Sequence, residues 1–228
     1  MKYLSLLALA CSSFAFVSCD GVSSTAMKSS SGGIHSRSIN SRSVAKTSNS
    51  SFGSTSSDGF LPAQVSAATV SKASGLSRDK HGMPTYPDNM RRRVVRTTAY
   101  SHEECEVGAP WRMNAIGTYL KYGQVRSAAA DWSRYPVGTK FKIKGLPYTY
   151  VVDDYGSALV GTNTIDIYHP NLSSMRRWAT RKAEISVIQW GDWDRTLNIL
   201  AGRRGYAHTR QMYYAAKAKV DSGRYARN

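Results

Sequence analysis

From residue 94 to residue 190 the apolar side chains recur at the two-residue period of β-strands, broken into short pieces by turn residues. Lys140-Phe141-Lys142-Ile143-Lys144 alternates charged and apolar positions throughout, as a half-buried strand does. Val94 to Tyr100 is β-prone, and Tyr148 to Val152, Thr164 to Tyr168 and Ile185 to Trp190 read as further strands. Gly145-Leu146-Pro147 and Tyr155-Gly156-Ser157 mark turns between them. One helical piece is predicted over Leu172 to Thr180, entered through Pro170-Asn171 and ending before Arg181. Short strands with little helix predict a mainly β domain, a small barrel or a sandwich. The chain shows no internal repeat of useful length.

The flanks follow other patterns. Lys2 precedes an apolar run from Tyr3 to Val17 that closes with Ser18-Cys19. The run falls short of the roughly 20 apolar residues of a spanning helix, so residues 1–19 read as a secretory signal peptide. Phe16-Val17-Ser18-Cys19 resembles a bacterial lipobox, with Phe16 where leucine is usual. Cys19 is then the expected lipidation site and a membrane anchor, with ordinary secretion as the alternative. Cys11 leaves with the signal. Lipidation at Cys19 leaves Cys105 without an intrachain partner, whereas a free Cys19 leaves a Cys19–Cys105 disulfide open. The chain has no disulfide framework and no paired-cysteine zinc pattern. Residues 20–90 are dominated by Ser, Thr, Gly and Ala and read as a disordered tether that buries too little apolar surface to fold. The ordered domain is expected over residues 91–194. Residues 195–228 carry eight Lys or Arg against the single acid Asp221 and read as a basic C-terminal tail, with helical spacing over Arg210 to Lys219.

Charge narrows the partners. With 31 Lys and Arg against 15 Asp and Glu, the 228-residue chain has a net charge of +16, which suits a polyanionic environment. Nucleic acid, anionic lipid and an acidic wall polymer all satisfy that condition. An exported chain without a recognition motif points away from nucleic acid.

Against this background three carboxylates stand out. Asp131 lies in Ala130-Asp131-Trp132-Ser133-Arg134-Tyr135-Pro136-Val137-Gly138-Thr139. Asp154 opens Asp154-Tyr155-Gly156-Ser157-Ala158-Leu159-Val160-Gly161, and Asp166 sits in Thr164-Ile165-Asp166-Ile167-Tyr168. Taken singly, each has the ordinary explanation of an aspartate that forms a turn. Taken in order, Ala-x-Asp…Pro-x-Gly-Thr, Asp-x-Gly-x-Ala-x-x-Gly and Ile-Asp-Ile-Tyr resemble the three-aspartate (3D) domain family. That family is related to the catalytic barrel of membrane-bound lytic transglycosylase A and, more distantly, to rare lipoprotein A. Thr97-Thr98-Ala99-Tyr100 is similar to the family's first strand, and the resemblance spans roughly residues 93–192. This chain departs from the family in Asp-Tyr-Gly-Ser, where Asp-Thr-Gly-Gly is common, and in Tyr135 before the proline.

The resemblance implies a six-stranded double-psi β-barrel with a short helix, cleaving the MurNAc–GlcNAc β-1,4 bond of peptidoglycan without hydrolysis. The muramyl C6 hydroxyl displaces the neighbouring sugar and leaves a 1,6-anhydro end. Such chemistry needs one carboxylic acid, first as donor and then as base, whose proton affinity is raised by burial or by a like charge. Asp154 matches the family's acid. Asp131 and Asp166 complete the implied catalytic set as flanking groups that raise its pKa. Tyr155, Tyr168, His169, Trp132 and Thr139 are expected to contact the glycan. Asp153 is the rival of Asp154 for the catalytic role, but it matches the motif less well and is read as a turn or groove-edge residue. No cofactor or metal is implied; the stretch His102-Glu103-Glu104-Cys105-Glu106 holds metal-capable side chains, but consecutive loop residues rarely converge on one ion. The partners expected are peptidoglycan strands and, through Cys19, a membrane, with the protein a monomer in the bacterial envelope. A non-catalytic peptidoglycan-binding or envelope-structural module on the same barrel is the alternative.

Overall fold

A computed structural model describes residues 60–104 and 112–225. The signal region, Cys19, the tether up to residue 59, Cys105 and Trp111 lie outside the described residues. The described chain is built on six strands: β1 (Arg92–Tyr100), β2 (Val125–Ala129), β3 (Lys140–Ile143), β4 (Thr149–Asp154), β5 (Thr164–Tyr168) and β6 (Arg181–Gln189). They pair in the order β1-β5-β2-β4-β3-β6, and β6 returns to β1, so the ring closes. The pairs β1–β5 and β2–β4 are parallel and the other four are antiparallel. Thus β5 inserts between β1 and β2, and β4 between β2 and β3.

Strand alternation decides what fills the ring. Val95, Ala128, Phe141, Tyr150, Val152, Ile165, Ile167, Ala183 and Ile185 are all fully buried. Phe141 and Tyr150 are register partners whose rings stack with centroids 5.3 Å apart. Each of the Val, Ile and Phe side chains contributes roughly 1.5–3 kcal/mol of transfer free energy, which is how these short strands hold together. The helix expected near residue 172 is α2 (Leu172–Trp178, the second among the described residues), and Asn171 caps it by accepting from the Ser174 N–H at 2.9 Å.

Two expectations about the flanks need correction. Residues 60–90 were expected to be tether, yet they pack on the sheet and include a short helix, α1 (Ala67–Lys72). The Ser66 N–H and hydroxyl donate to Glu184 Oε2 at 2.9 and 2.7 Å, and the Thr69 hydroxyl donates to Oε1 at 2.9 Å. Met83 and Tyr86 are buried, and the Tyr86 hydroxyl accepts from the Val94 N–H at 2.8 Å. Polar contacts hold this segment, so its low hydrophobicity did not reveal them.

The C-terminal tail is likewise folded in large part. It forms α3 (Trp193–Ala201) and α4 (Ala207–Asp221), which pack together. Leu200 and Met212 are fully buried in the same core as the strands. Asp192 caps α3 through the Arg195 N–H, and the Val137 N–H donates to the Thr196 hydroxyl at 2.9 Å. Gly191 makes this junction sterically feasible: a Cβ there would lie 2.2 Å from the Pro136 carbonyl oxygen.

Candidate active site

The site is built on the face of the sheet turned away from the core. Ile165 and Ile167 fill the interior, so Asp166 and Tyr168 point the other way, as do Thr98 and Tyr100 on the paired strand β1. Across β2, Ala129 is the register partner of Asp166 on one side and of Asp154 on the other. The three positions therefore share a face.

A β-bulge explains the Asp153-Asp154 doublet. Ala128 pairs with Val152 but the next residue, Ala129, pairs with Asp154, leaving Asp153 as the extra residue. Regular alternation would send two consecutive side chains to opposite faces. Here both carboxylates reach the same side. Asp153 Oδ2 accepts from Lys121 Nζ at 2.9 Å and from the Ser127 hydroxyl at 2.8 Å. Asp154 Oδ1 accepts from the N–H groups of Tyr155 (2.9 Å) and Ala115 (3.2 Å), and its Oδ2 accepts from the Tyr100 hydroxyl at 3.2 Å.

That last contact joins strands that are not neighbours: Tyr100 is on β1 and Asp154 on β4, opposite each other in the ring. Ala129, between Asp154 and Asp166 in register, is almost wholly covered.

The electrostatics set Asp154 apart. Its carboxyl is surrounded by protein atoms although the residue keeps part of its surface open to solvent. Burial pushes its pKa up to about 7; the neighbouring Asp153 charge adds to the rise, while the Tyr155 N–H, the Tyr100 hydroxyl and the Ala115 N–H offset part of it. Asp166 is raised to about 6, again chiefly by burial, with Glu104 adding to it and the Thr98 hydroxyl and Arg96 opposing. The Thr98 hydroxyl donates to Asp166 Oδ1 at 2.6 Å. Burial also holds the Tyr100 pKa well above the ordinary range, and Asp154, Asp153 and Asp166 all push it further. Tyr100 thus keeps its proton and faces three carboxylates.

Those three are not the three the sequence suggested. Burial is the largest influence on Asp154, and the charge that contributes most is that of Asp153, ahead of Asp131 and Asp166. Asp131 Oδ1 accepts from the Ser133 N–H (2.8 Å) and hydroxyl (2.6 Å), and Oδ2 from the Gly161 N–H at 2.7 Å. It ties two loops together. Gly161 adopts φ +77°, a conformation in which glycine is strongly favoured, and this aims its N–H at Asp131.

The expected glycan contacts divide similarly. Trp132 is fully buried; its Nε1–H donates to the Asp154 carbonyl oxygen at 2.8 Å, so it anchors the strand end from beneath. Thr139 is fully buried, donating to the Pro136 carbonyl and accepting from the Gly191 N–H. Tyr155 packs edge-on against Trp132 and accepts from Arg203 Nη1 at 3.1 Å, while Arg203 Nη2 donates to the Ala115 carbonyl at 2.7 Å. Arg203, in the turn between α3 and α4, thereby braces the loop whose N–H meets Asp154. Tyr168 is buried behind Tyr100, and its hydroxyl bonds with His102 Nδ1 at 2.9 Å. His169 is fully buried among Phe60, Tyr122 and Trp178, and burial pushes its pKa down to about 4. It is a neutral packing residue.

The side chains of His102, Glu103 and Glu104 diverge, to Tyr168, to the Leu172 N–H and to the Ser101 N–H. Sequence reasoning missed the roles of Tyr100 and Asp153. The spacing Thr98-x-Tyr100 on a strand was the available signal for the first, and nothing local marks the second. No protein-family profile matches the chain, and no curated protein is found to be similar to it.

Proposed function

We propose that the protein is a peptidoglycan lytic transglycosylase in which Asp154 is the single acid and base. The observation that carries the reading is Asp154 itself: a carboxyl on the outer face of the sheet, pushed by burial up to about 7 and held by one hydroxyl and two N–H groups. About half of such groups are protonated at pH 7, which suits proton donation followed by proton acceptance.

In the reaction Asp154 gives its proton to the glycosidic oxygen as the bond from the muramyl C1 to that oxygen breaks. The muramyl C6 hydroxyl oxygen then bonds to C1, and its proton passes to the Asp154 carboxylate. The acid returns to its starting form and no water is consumed. The Tyr100 hydroxyl and the Ala115 and Tyr155 N–H groups stabilise the carboxylate between the two transfers. The interleaved strand order and two parallel pairs agree with a double-psi β-barrel. Residence in the bacterial envelope is part of the same proposal, supported by the reading of residues 1–19 as a secretory signal.

A second reading, a non-catalytic wall-binding module, is favoured by one observation. Asp131 is wholly engaged in loop hydrogen bonds, so the motif aspartates are not by themselves a catalytic signature. Incubating the chain with purified peptidoglycan and analysing the fragments by mass spectrometry separates the two. Anhydromuramyl ends, absent with Asp154→Asn, support the transglycosylase. Reducing ends would indicate a hydrolase, and wall binding without fragments the binding module.

A further inference from the structure

Asp153 is the least expected group near the site. It is almost completely buried, yet only one of its two oxygens is satisfied: Oδ2 takes both Lys121 and Ser127, while Oδ1 has no hydrogen-bond partner among the described residues. A buried carboxylate with one bare oxygen is a costly arrangement for a strand to keep. The bulge that creates it also places the group beside Asp154 on the same face. Lys121 arrives from the segment before β2, and its side chain is 42% exposed, so its charge is partly screened by water.

We propose that Asp153 is a positioning residue for proton transfer, a fixed negative charge that keeps the adjacent Asp154 protonated, with Lys121 as the counter-charge that limits its effect. The catalytic part of this inference rests on the transglycosylase reading; the electrostatic coupling does not. Other charged or titratable groups approach the Asp153–Asp154 region from each element packed around it. Tyr100 approaches from β1 and Asp166 from β5, the latter with Arg96 and Glu104 beside it. Arg203 from the turn between α3 and α4 is joined to the loop at Ala115 and to Tyr155. None of these shares the covalent adjacency of Asp153, and Tyr100 remains neutral over the relevant pH range.

Removing one charge at a time shifts Asp154 in opposite directions. Asp153→Asn removes the like charge and lowers its titration midpoint, by roughly one pH unit for an adjacent partly compensated carboxylate. Lys121→Met uncovers the Asp153 charge and raises the midpoint. A purely structural pair would move stability without this reversal of sign.

The experiment is a carboxyl ¹³C NMR titration of the chain, with the Asp154 resonance assigned by its loss in Asp154→Asn. Opposite shifts in Asp153→Asn and Lys121→Met support the proposal, and unchanged midpoints in both folded variants overturn it. Lys121 is partly exposed, so Lys121→Met provides a test even if Asp153→Asn fails to fold; an unchanged midpoint there alone overturns the role of Lys121 as counter-charge. The same variants are then assayed on peptidoglycan. Coupled titration without anhydro product leaves the coupling standing and removes the transglycosylase reading. With product, the pH limb of the activity moves with the midpoint; a limb that stays put overturns the catalytic part.

Discussion

Asp154 and Asp166 are register partners of the same residue, Ala129, one on each side of β2. Two strand spacings separate them, about 10 Å along the sheet, too far for the close carboxyl pair of retaining glycosidases. The two acids are therefore expected to act independently. Asp166→Asn should leave the Asp154 midpoint within about 0.3 pH unit, read by the carboxyl resonance. A shift of a full unit would mean that the two share a proton.

The pH dependence of stability follows from the same burial. The Asp154 carboxyl binds its proton more tightly folded (about 7) than unfolded (ordinary value 3.8), so its contribution is fully present below pH 4. It is lost as pH rises through 7, where the folded chain holds an unfavourable charge. Asp154→Asn removes that cost, giving a stability gain of about 1–2 kcal/mol at pH 8, reduced for partial solvent access, and none near pH 4. Asp166→Asn behaves likewise, with the gain complete at lower pH because its folded value is about 6. Thermal melts of each variant at both pH values check this, and a destabilised Asp154→Asn at pH 8 would contradict it.

Asp131 should prove structural. Asp131→Ala deprives the Ser133 and Gly161 N–H groups of their acceptor and should cost about 2–4 kcal/mol, measured by urea unfolding. The Asp154 titration in the surviving folded protein should be unchanged. A moved midpoint would restore Asp131 to the electrostatics of the site.

The two C-terminal helices should prove inseparable from the strands. Met212→Ala is expected to cost about 2–4 kcal/mol, the range for a core methionine or leucine truncated to alanine. A chain ending at Asp194 loses Leu200, Met212 and the Thr196 contact to Val137 together, and should fail to unfold cooperatively. A sharp melt for the truncated chain would return residues 195–225 to the status of a tail.

Strands with strong alternation were legible in the sequence. Ile165-Asp166-Ile167 put two side chains in the core and one on the opposite face, and the bounds of β5 match the pattern. The strand β2 was missed because Val125-Arg126-Ser127-Ala128-Ala129 offers one β-branched residue, its small alanines fitting beneath larger neighbours that only tertiary pairing supplies. The bulge was invisible for the same reason: two aspartates in a row look alike whether or not the partner strand skips a residue. Helix α4 was underrated because its buried side is narrow, resting on Thr209, Met212 and Ala216. The clasp of Ser66 and Thr69 on Glu184 carries no hydrophobic signal at all. There burial pushes the Glu184 pKa up, but the Ser66 N–H and hydroxyl, the Thr69 hydroxyl and Lys144 outweigh it and leave the value at about 2.

Closure of the ring limits how anything can be held. Each strand pairs with a neighbour on both sides, so among the described residues the sheet has no edge strand to which an incoming peptide could add as a further strand. Under the proposed function, a wall polymer would therefore be gripped by side chains, and selectivity between its sugars and its peptides would be written in the residues around Asp154.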